Sequence, residues 1–137
     1  MIKFQIGIQL YSVREDMAKD FEGTLRKVKE LGYDGVEFAG IFSKSAKEIK
    51  ALCEEIGLNP ISAHVPFVDM VKSPNLLDTY AEIGCKFVVI PYLTEEYRPS
   101  NEKFNDVIKY ANGRLKKICN KNKIKYVDWR NIFKLFP

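Results

Sequence analysis

The sequence predicts an α/β chain with parallel strands, about four to five strand–helix units of a partial (β/α)8 TIM barrel. Three observations predict it. Helix-like stretches end three times in Glu, then Leu or Ile, then Gly: Glu30-Leu31-Gly32, Glu55-Ile56-Gly57 and Glu82-Ile83-Gly84. A glycine just past a helix takes the left-handed C-cap conformation that other residues resist. Each copy leads within a few residues into a β-type run: Val36-Glu37-Phe38, Ile61-Ser62-Ala63-His64 and Phe87-Val88-Val89-Ile90. The copies recur 25 and 27 residues apart, the mark of a repeated unit. Strands alternating with helices over short connections run parallel with right-handed crossovers. No Gly-x-Gly-x-x-Gly follows the first strand, which favours a barrel over a doubly wound dinucleotide fold.

The first strand is expected at Ile6–Tyr11. Asp20 is a suitable N-cap for the helix that follows, which buries Phe21, Leu25, Val28 and Leu31 at helical spacing. A second strand runs from Gly35 to Phe38. Ser45-Ala46-Lys47-Glu48 is a capping box, in which Ser45 and Glu48 each satisfy the other's orphan backbone donor. The helix it opens presents Ile49, Leu52, Cys53 and Ile56 and stops at Gly57.

A third strand is expected at Pro60–Val65. Ser73-Pro74 then reads as N-cap and first helical residue of a helix carrying Leu77, Tyr80, Ala81 and Ile83. Phe87–Tyr92 is the fourth strand. A loop through Glu95 and Pro99 leads to a helix faced by Phe104, Val107, Ile108, Ala111, Leu115 and Ile118. Gly113 weakens that helix by about 1 kcal/mol. A weaker fifth strand is expected at Ile124–Val127, and residues 128–137 show no pattern.

Bulk properties narrow the function classes. The 137 residues form one domain, whereas a complete barrel of this kind needs about 250. No apolar run approaches the ~20 residues of a membrane span, and the N-terminus lacks a leader's pattern, so a cytoplasmic protein without membrane association is expected. Cys53, Cys85 and Cys119 are widely spaced without Cys-x-x-Cys, and read as buried free thiols. Residues 1–108 carry a net charge of −4 and residues 109–137 a net of +8. The basic residues of the tail interleave with apolar ones at helical spacing, which suits a solvated helix face better than a nucleic-acid surface.

Strands buried on both faces read as continuous apolar runs, and the first three here do not. Ile6, Ile8 and Leu10 alternate with Gly7, Gln9 and Tyr11; Val36 and Phe38 with Gly35 and Glu37; Ile61, Ala63 and Val65 with Ser62 and His64. The apolar sets suit the helix layer. The other face places Gln9, Tyr11, Glu37, Ser62 and His64 inside the barrel near the strands' C-terminal ends, where active sites of such barrels lie. Glu37 and His64 are the candidate catalytic residues, with Gln9, Tyr11 and, at the rim, Tyr92 as candidate substrate contacts. Each has a plainer reading. An interior histidine is often held by a neighbour, and Glu37 can pair with His64, because an unpaired interior carboxylate is costly.

The segments Ile6-Gly7-Ile8-Gln9-Leu10-Tyr11-Ser12-Val13-Arg14, Gly32-Tyr33-Asp34-Gly35-Val36-Glu37-Phe38-Ala39-Gly40 and Ser62-Ala63-His64-Val65-Pro66-Phe67 resemble the xylose isomerase-like family of sugar isomerases and epimerases. Ile90-Pro91-Tyr92-Leu93-Thr94 fits as well, so the resemblance covers residues 2 to about 125. It implies aldose–ketose isomerisation or epimerisation of a sugar or sugar phosphate by proton transfer next to a carbonyl. In the family a divalent metal such as Mn, Mg, Co or Zn assists, held by strands of the barrel's second half. Glu37 and His64 match first-half positions, and Gln9 and Tyr11 the pocket wall.

The tail departs from the family's pattern. Relatives follow a Tyr after strand five with a His-Asn-His-Asp-x-Glu-Phe type segment, whereas Tyr126 is followed by Val127-Asp128-Trp129-Arg130-Asn131-Ile132-Phe133. The expectation is a truncated family member, divergent over 126–137, with no metal ligand set of its own and inactive alone. Apurinic endonucleases share the barrel but need several His, Asp and Glu ligands, and this chain has one His. A half-barrel leaves its interior face and two sheet edges uncovered; a second copy completing it is the simplest partner, and a sugar-binding or assembly module without catalysis is the alternative function.

Overall fold

The β-type runs pair into a single parallel sheet in a computed structural model that describes residues 4–73, 75–110, 113 and 116–121. Its strands are β1 (Gly7–Gln9), β2 (Gly35–Phe38), β3 (Asn59–His64) and β4 (Phe87–Val89), hydrogen-bonded in that order. The helices are α1 (Arg14–Lys19), α2 (Phe21–Glu30), α3 (Ala46–Ile56), α4 (Phe67–Lys72), α5 (Leu76–Ile83), α6 (Phe104–Tyr110) and α7 (Lys116–Lys121). Short 3-10 turns cover Leu10–Val13 and Glu95–Tyr97. The expected strand at 124–127, the tail from 126, Pro74, Ala111, Leu115 and the side chains of Ile118 and Cys119 lie outside the described residues.

Local chemistry sets the helix ends. Asp20 caps α2, its carboxylate accepting from Gly23 N at 2.9 Å. At α3 the Ser45 hydroxyl accepts from Glu48 N at 3.2 Å while Ser45 N donates to the Glu48 carboxylate at 2.8 Å. The Ser45 hydroxyl and backbone N–H together hold the Glu48 carboxyl below its usual range. Gly32, Gly57 and Gly84 take φ of +94°, +72° and +112°, the left-handed geometry the repeat demands.

One face of the sheet carries the core. Val36, Phe38, Ala63 and Val65 pack against Leu25 and Val28 of α2, Ile49 and Cys53 of α3, and Leu77, Tyr80 and Ile83 of α5. Each large apolar side chain so buried stabilises the fold by about 1.5–3 kcal/mol. Burial pushes the Cys53 thiol up to about 11 and the Cys85 thiol up to about 12, so both stay protonated at neutral pH. Among the described residues no helix is long and apolar enough to cross a membrane.

The structure corrects several boundaries. β1 stops at Gln9, and Leu10 and Tyr11 begin a 3-10 turn into α1, a helix the periodicity did not announce. Six-residue α1 has no side-chain cap and buries one residue, Met17, so its sequence signal is faint. Ser73 is the C-cap of α4 and not the N-cap of the next helix; α5 starts at Leu76 behind Asn75. β4 ends at Val89, short of the expected Tyr92. Leu31 is 67% exposed because it is the C-cap of α2, past the packed face, and Tyr33 packs on the core in its place.

A bulge in β3 overturns one more expectation. Val36 pairs with Pro60 and Glu37 with Ser62, so Ile61 is the extra residue. Instead of facing the helices, its side chain lies over Gly7 and Gly35, on the same face as Gln9 and Glu37. The two glycines leave the room it fills.

This packing makes Gly35 harder to replace than Gly7. A methyl at Gly35 would sit 2.6 Å from Ile61 Cδ1 and 2.8 Å from the Asn59 carbonyl oxygen, which cannot move aside. A methyl at Gly7 meets only the Ile61 Cδ1 tip, at 2.9 Å, with the nearest backbone atom at 3.4 Å. In urea denaturation Gly35→Ala is expected to lower stability by about 1–3 kcal/mol and Gly7→Ala by less. A Gly35→Ala protein as stable as the Gly7→Ala protein contradicts the packing described.

Candidate functional site

The face away from the helices carries a polar row set by strand register. Gln9 on β1 pairs with Glu37 on β2, which pairs with Ser62 on β3. In a parallel sheet this register lines their side chains up across the strands. Gln9 Nε2 donates to Glu37 Oε1 at 2.6 Å, and Ser62 Oγ donates to Glu37 Oε2 at 2.6 Å. Ser62 is only 5% exposed. The bulge at Ile61 makes this match, since without the extra residue Glu37 would face position 61.

His64 ends β3 two residues further along, paired with Val89 of β4. Its Nδ1 is buried and has no hydrogen-bond partner among the described residues. Tyr11 meets the imidazole edge-on, with ring centroids 6.0 Å apart and planes at 64°. Tyr11 is 52% exposed and arrives from the 3-10 turn after β1, not from the strand face that alternation assigned to it. The expected structural pairing of Glu37 with His64 is replaced by the two neutral donors. A carboxylate has about four acceptor positions, and two of those of Glu37 are filled among the described residues.

Tyr92 lies apart from this group. It is 61% exposed and lines a cleft of about 250 Å³ with Pro66, Phe67, Val68, Asp69 and Thr94, none of which belongs to the polar row. Both features sit at the C-terminal ends of the strands. Val89, the strand partner of His64, is 39% exposed.

Two features of this rim were not read from the sequence. Arg14 stacks on the Tyr11 ring, its Cζ 4.7 Å from the centroid, and donates from Nη1 to the Tyr11 carbonyl oxygen at 3.1 Å. The signal available was an arginine three residues after a tyrosine at the strand's end. In the loop after β2, Phe42 and Ser43 hold φ of +47° and +64°, and Lys44 N closes the turn onto Ile41 O at 2.9 Å. Non-glycine residues rarely take this conformation, and nothing in their identity announces it.

The divalent metal implied by the resemblance does not fit these residues. Among the described residues no group of three or more His, Cys, Asp or Glu could hold an ion. Glu37 and His64 are two such side chains at most, and the His64 Nδ1 that lacks a partner among the described residues is buried. What the set can do is receive polyhydroxylated ligand: a fixed carboxylate with further acceptor positions, an imidazole and a phenol lie at one mouth.

The fold is similar to that of a sugar phosphate isomerase/epimerase from Parabacteroides distasonis ATCC 8503, with a TM-score of 0.65 at 22% sequence identity. The match covers 90% of this chain and 50% of that chain, so this chain spans half the length of the structure it resembles. No family model and no curated protein matches the sequence. A likeness at this identity establishes the fold, a partial TIM barrel.

If the row is one unit, its members are energetically coupled. Ser62→Ala removes a donor to Glu37 and is expected to cost about 1–3 kcal/mol in chemical denaturation. In a Glu37→Ala background the same change should cost clearly less, with a coupling above about 0.5 kcal/mol. Additive losses would mean that Ser62 and Glu37 do not support one another.

Proposed function

We propose that this chain is the substrate-contacting part of a sugar isomerase/epimerase-type barrel, and that it binds a sugar or sugar phosphate against Gln9, Glu37, Ser62 and His64. The observation that carries the reading is the polar row: Glu37, anchored by Gln9 and Ser62 at 2.6 Å each, on the open face at the strands' C-terminal ends. The similarity in fold to a sugar phosphate isomerase/epimerase supports it.

Isomerisation and epimerisation move a proton at the carbon beside a carbonyl. A general base for that step must be held within hydrogen-bond reach of the proton, and geometry comes before acidity. Gln9 and Ser62 fix the Glu37 carboxylate by one oxygen each, so the remaining acceptor positions point along a set direction. Glu37 is the group that accepts and returns the proton. His64, steadied by Tyr11, orients the neighbouring hydroxyl or carries the proton to the adjacent oxygen. In the family a metal polarises the carbonyl. With no such ligand group among the described residues, none of these steps is routed through one. A second reading is sugar binding without turnover, since a Glu37 carboxylate held by Gln9 and Ser62 serves recognition of hydroxyls equally well.

Binding and proton exchange separate the two. The purified chain is titrated with pentoses and hexoses in aldose and ketose form, and deuterium wash-in from D2O beside the carbonyl is followed by NMR. Saturable binding weakened at least tenfold by Glu37→Ala is expected under both readings. Wash-in that Glu37→Gln abolishes supports the isomerase reading, binding without wash-in supports the binding module, and no binding at all overturns both.

A further inference from the structure

We propose that Arg14 is the anion-recognition residue of this pocket and selects ligands that carry a terminal phosphate. The inference rests on the sugar-binding reading above and names its substrate class. Two contacts hold the guanidinium at the C-terminal end of β1: stacking on the Tyr11 ring at 4.7 Å and the Nη1 bond to the Tyr11 carbonyl oxygen at 3.1 Å. A head group so placed loses little further freedom when it takes up a ligand, the usual advantage of preorganisation.

Position connects Arg14 to the polar row. The same Tyr11 ring lies 6.0 Å from the His64 ring. The guanidinium is therefore within about 11 Å of the imidazole, from the 4.7 Å and 6.0 Å contacts end to end. An extended pentose or hexose phosphate covers such a span with a hydrogen bond at each end. Its carbonyl end would meet Glu37 and His64 while its phosphate met Arg14.

Charge gives the reason for a cation there. A phosphate dianion approaching the pocket meets the like charge of the Glu37 carboxylate, and an arginine at the mouth offsets that repulsion. Guanidinium presents five donors in a planar fork that matches phosphate oxygens. Nη1 spends one on Tyr11, and Nη2 faces Glu15 at 3.7 Å, longer than a hydrogen bond, with the Arg14 and Glu15 side chains 49% and 78% exposed. A solvent-exposed pair of this kind contributes little, so it competes weakly with a phosphate for the guanidinium. An unphosphorylated sugar of the same length offers Arg14 only neutral hydroxyls and gains less from it.

The test compares D-ribulose and D-fructose with their terminally phosphorylated forms by calorimetric titration of the full chain. The expected result is at least tenfold tighter binding of each phosphorylated sugar than of its parent. Arg14→Gln should bring that ratio to about one, and Arg14→Lys, which keeps the charge but loses the fork, should leave an intermediate ratio. Inorganic phosphate should compete with the phosphorylated sugars in the unsubstituted protein and fail to do so in Arg14→Gln. Parents that bind as tightly as their phosphates, or a preference that survives Arg14→Gln, overturn the role of Arg14 while leaving sugar binding intact. If neither form of either sugar binds, the sugar-binding reading fails first and this inference with it.

Discussion

Glu37 stands between the apolar Val36 and Phe38, on the sheet face away from the helix-packed core, and its carboxylate is met by donors from both neighbouring strands. Gln9 reaches it from β1 and Ser62 from β3, each at 2.6 Å. That meeting depends on register, and the register depends on the bulge at Ile61. The displaced Ile61 side chain needs the space above Gly7 and Gly35. Two glycines, one bulge and three polar residues thus form a single arrangement in which none is independent. The row and His64 fall toward the strands' C-terminal ends, where barrels of this architecture gather a ligand, which is why the proposed site is placed there.

The other face of the sheet does a different job. Val36, Phe38, Ala63 and Val65 pack with α2, α3 and α5 in one core beneath the strands that carry the polar row. Alternation along β2 shows the division within one strand: Val36 and Phe38 are fully buried while Glu37 between them faces the opening. The proposed site is confined to the face that contributes least to the core. Sites placed on strands in this way are positioned more tightly than sites on loops, whereas Tyr11 and Arg14 sit in and after a turn and depend on one another for their placement.

Much of this was legible because the determinants are local. Gly35–Phe38, the Asp20 cap, the Ser45–Glu48 box and the glycine C-caps each follow from a few adjacent residues, and the structure has them where the sequence put them. The residues that share the open face, Gln9, Glu37, Ser62 and His64, followed from strand alternation. Hidden from such reading were features fixed by distant partners. The bulge exists because β3 must match β2, so Ile61 changed faces. Helices α1 and α4 are too short for periodicity to reveal, and α4 displaced the start of the next helix beyond Ser73. Tyr92 fell outside the polar row because β4 ends at Val89 and the chain turns away toward Thr94. The Arg14–Tyr11 stack needs a turn that alternation had drawn as strand.

The central claim is that the polar row on the open face is where a sugar is received. Chemical-shift mapping of the isotope-labelled chain during titration with a ketose phosphate tests it residue by residue. The account predicts perturbations concentrated at the Gln9 and Glu37 side chains, the Ser62 amide, the His64 ring and the turn through Arg14, with the helix-side core unchanged. Perturbations that miss these residues and gather on the helices, or in the cleft beside Tyr92 alone, would contradict it.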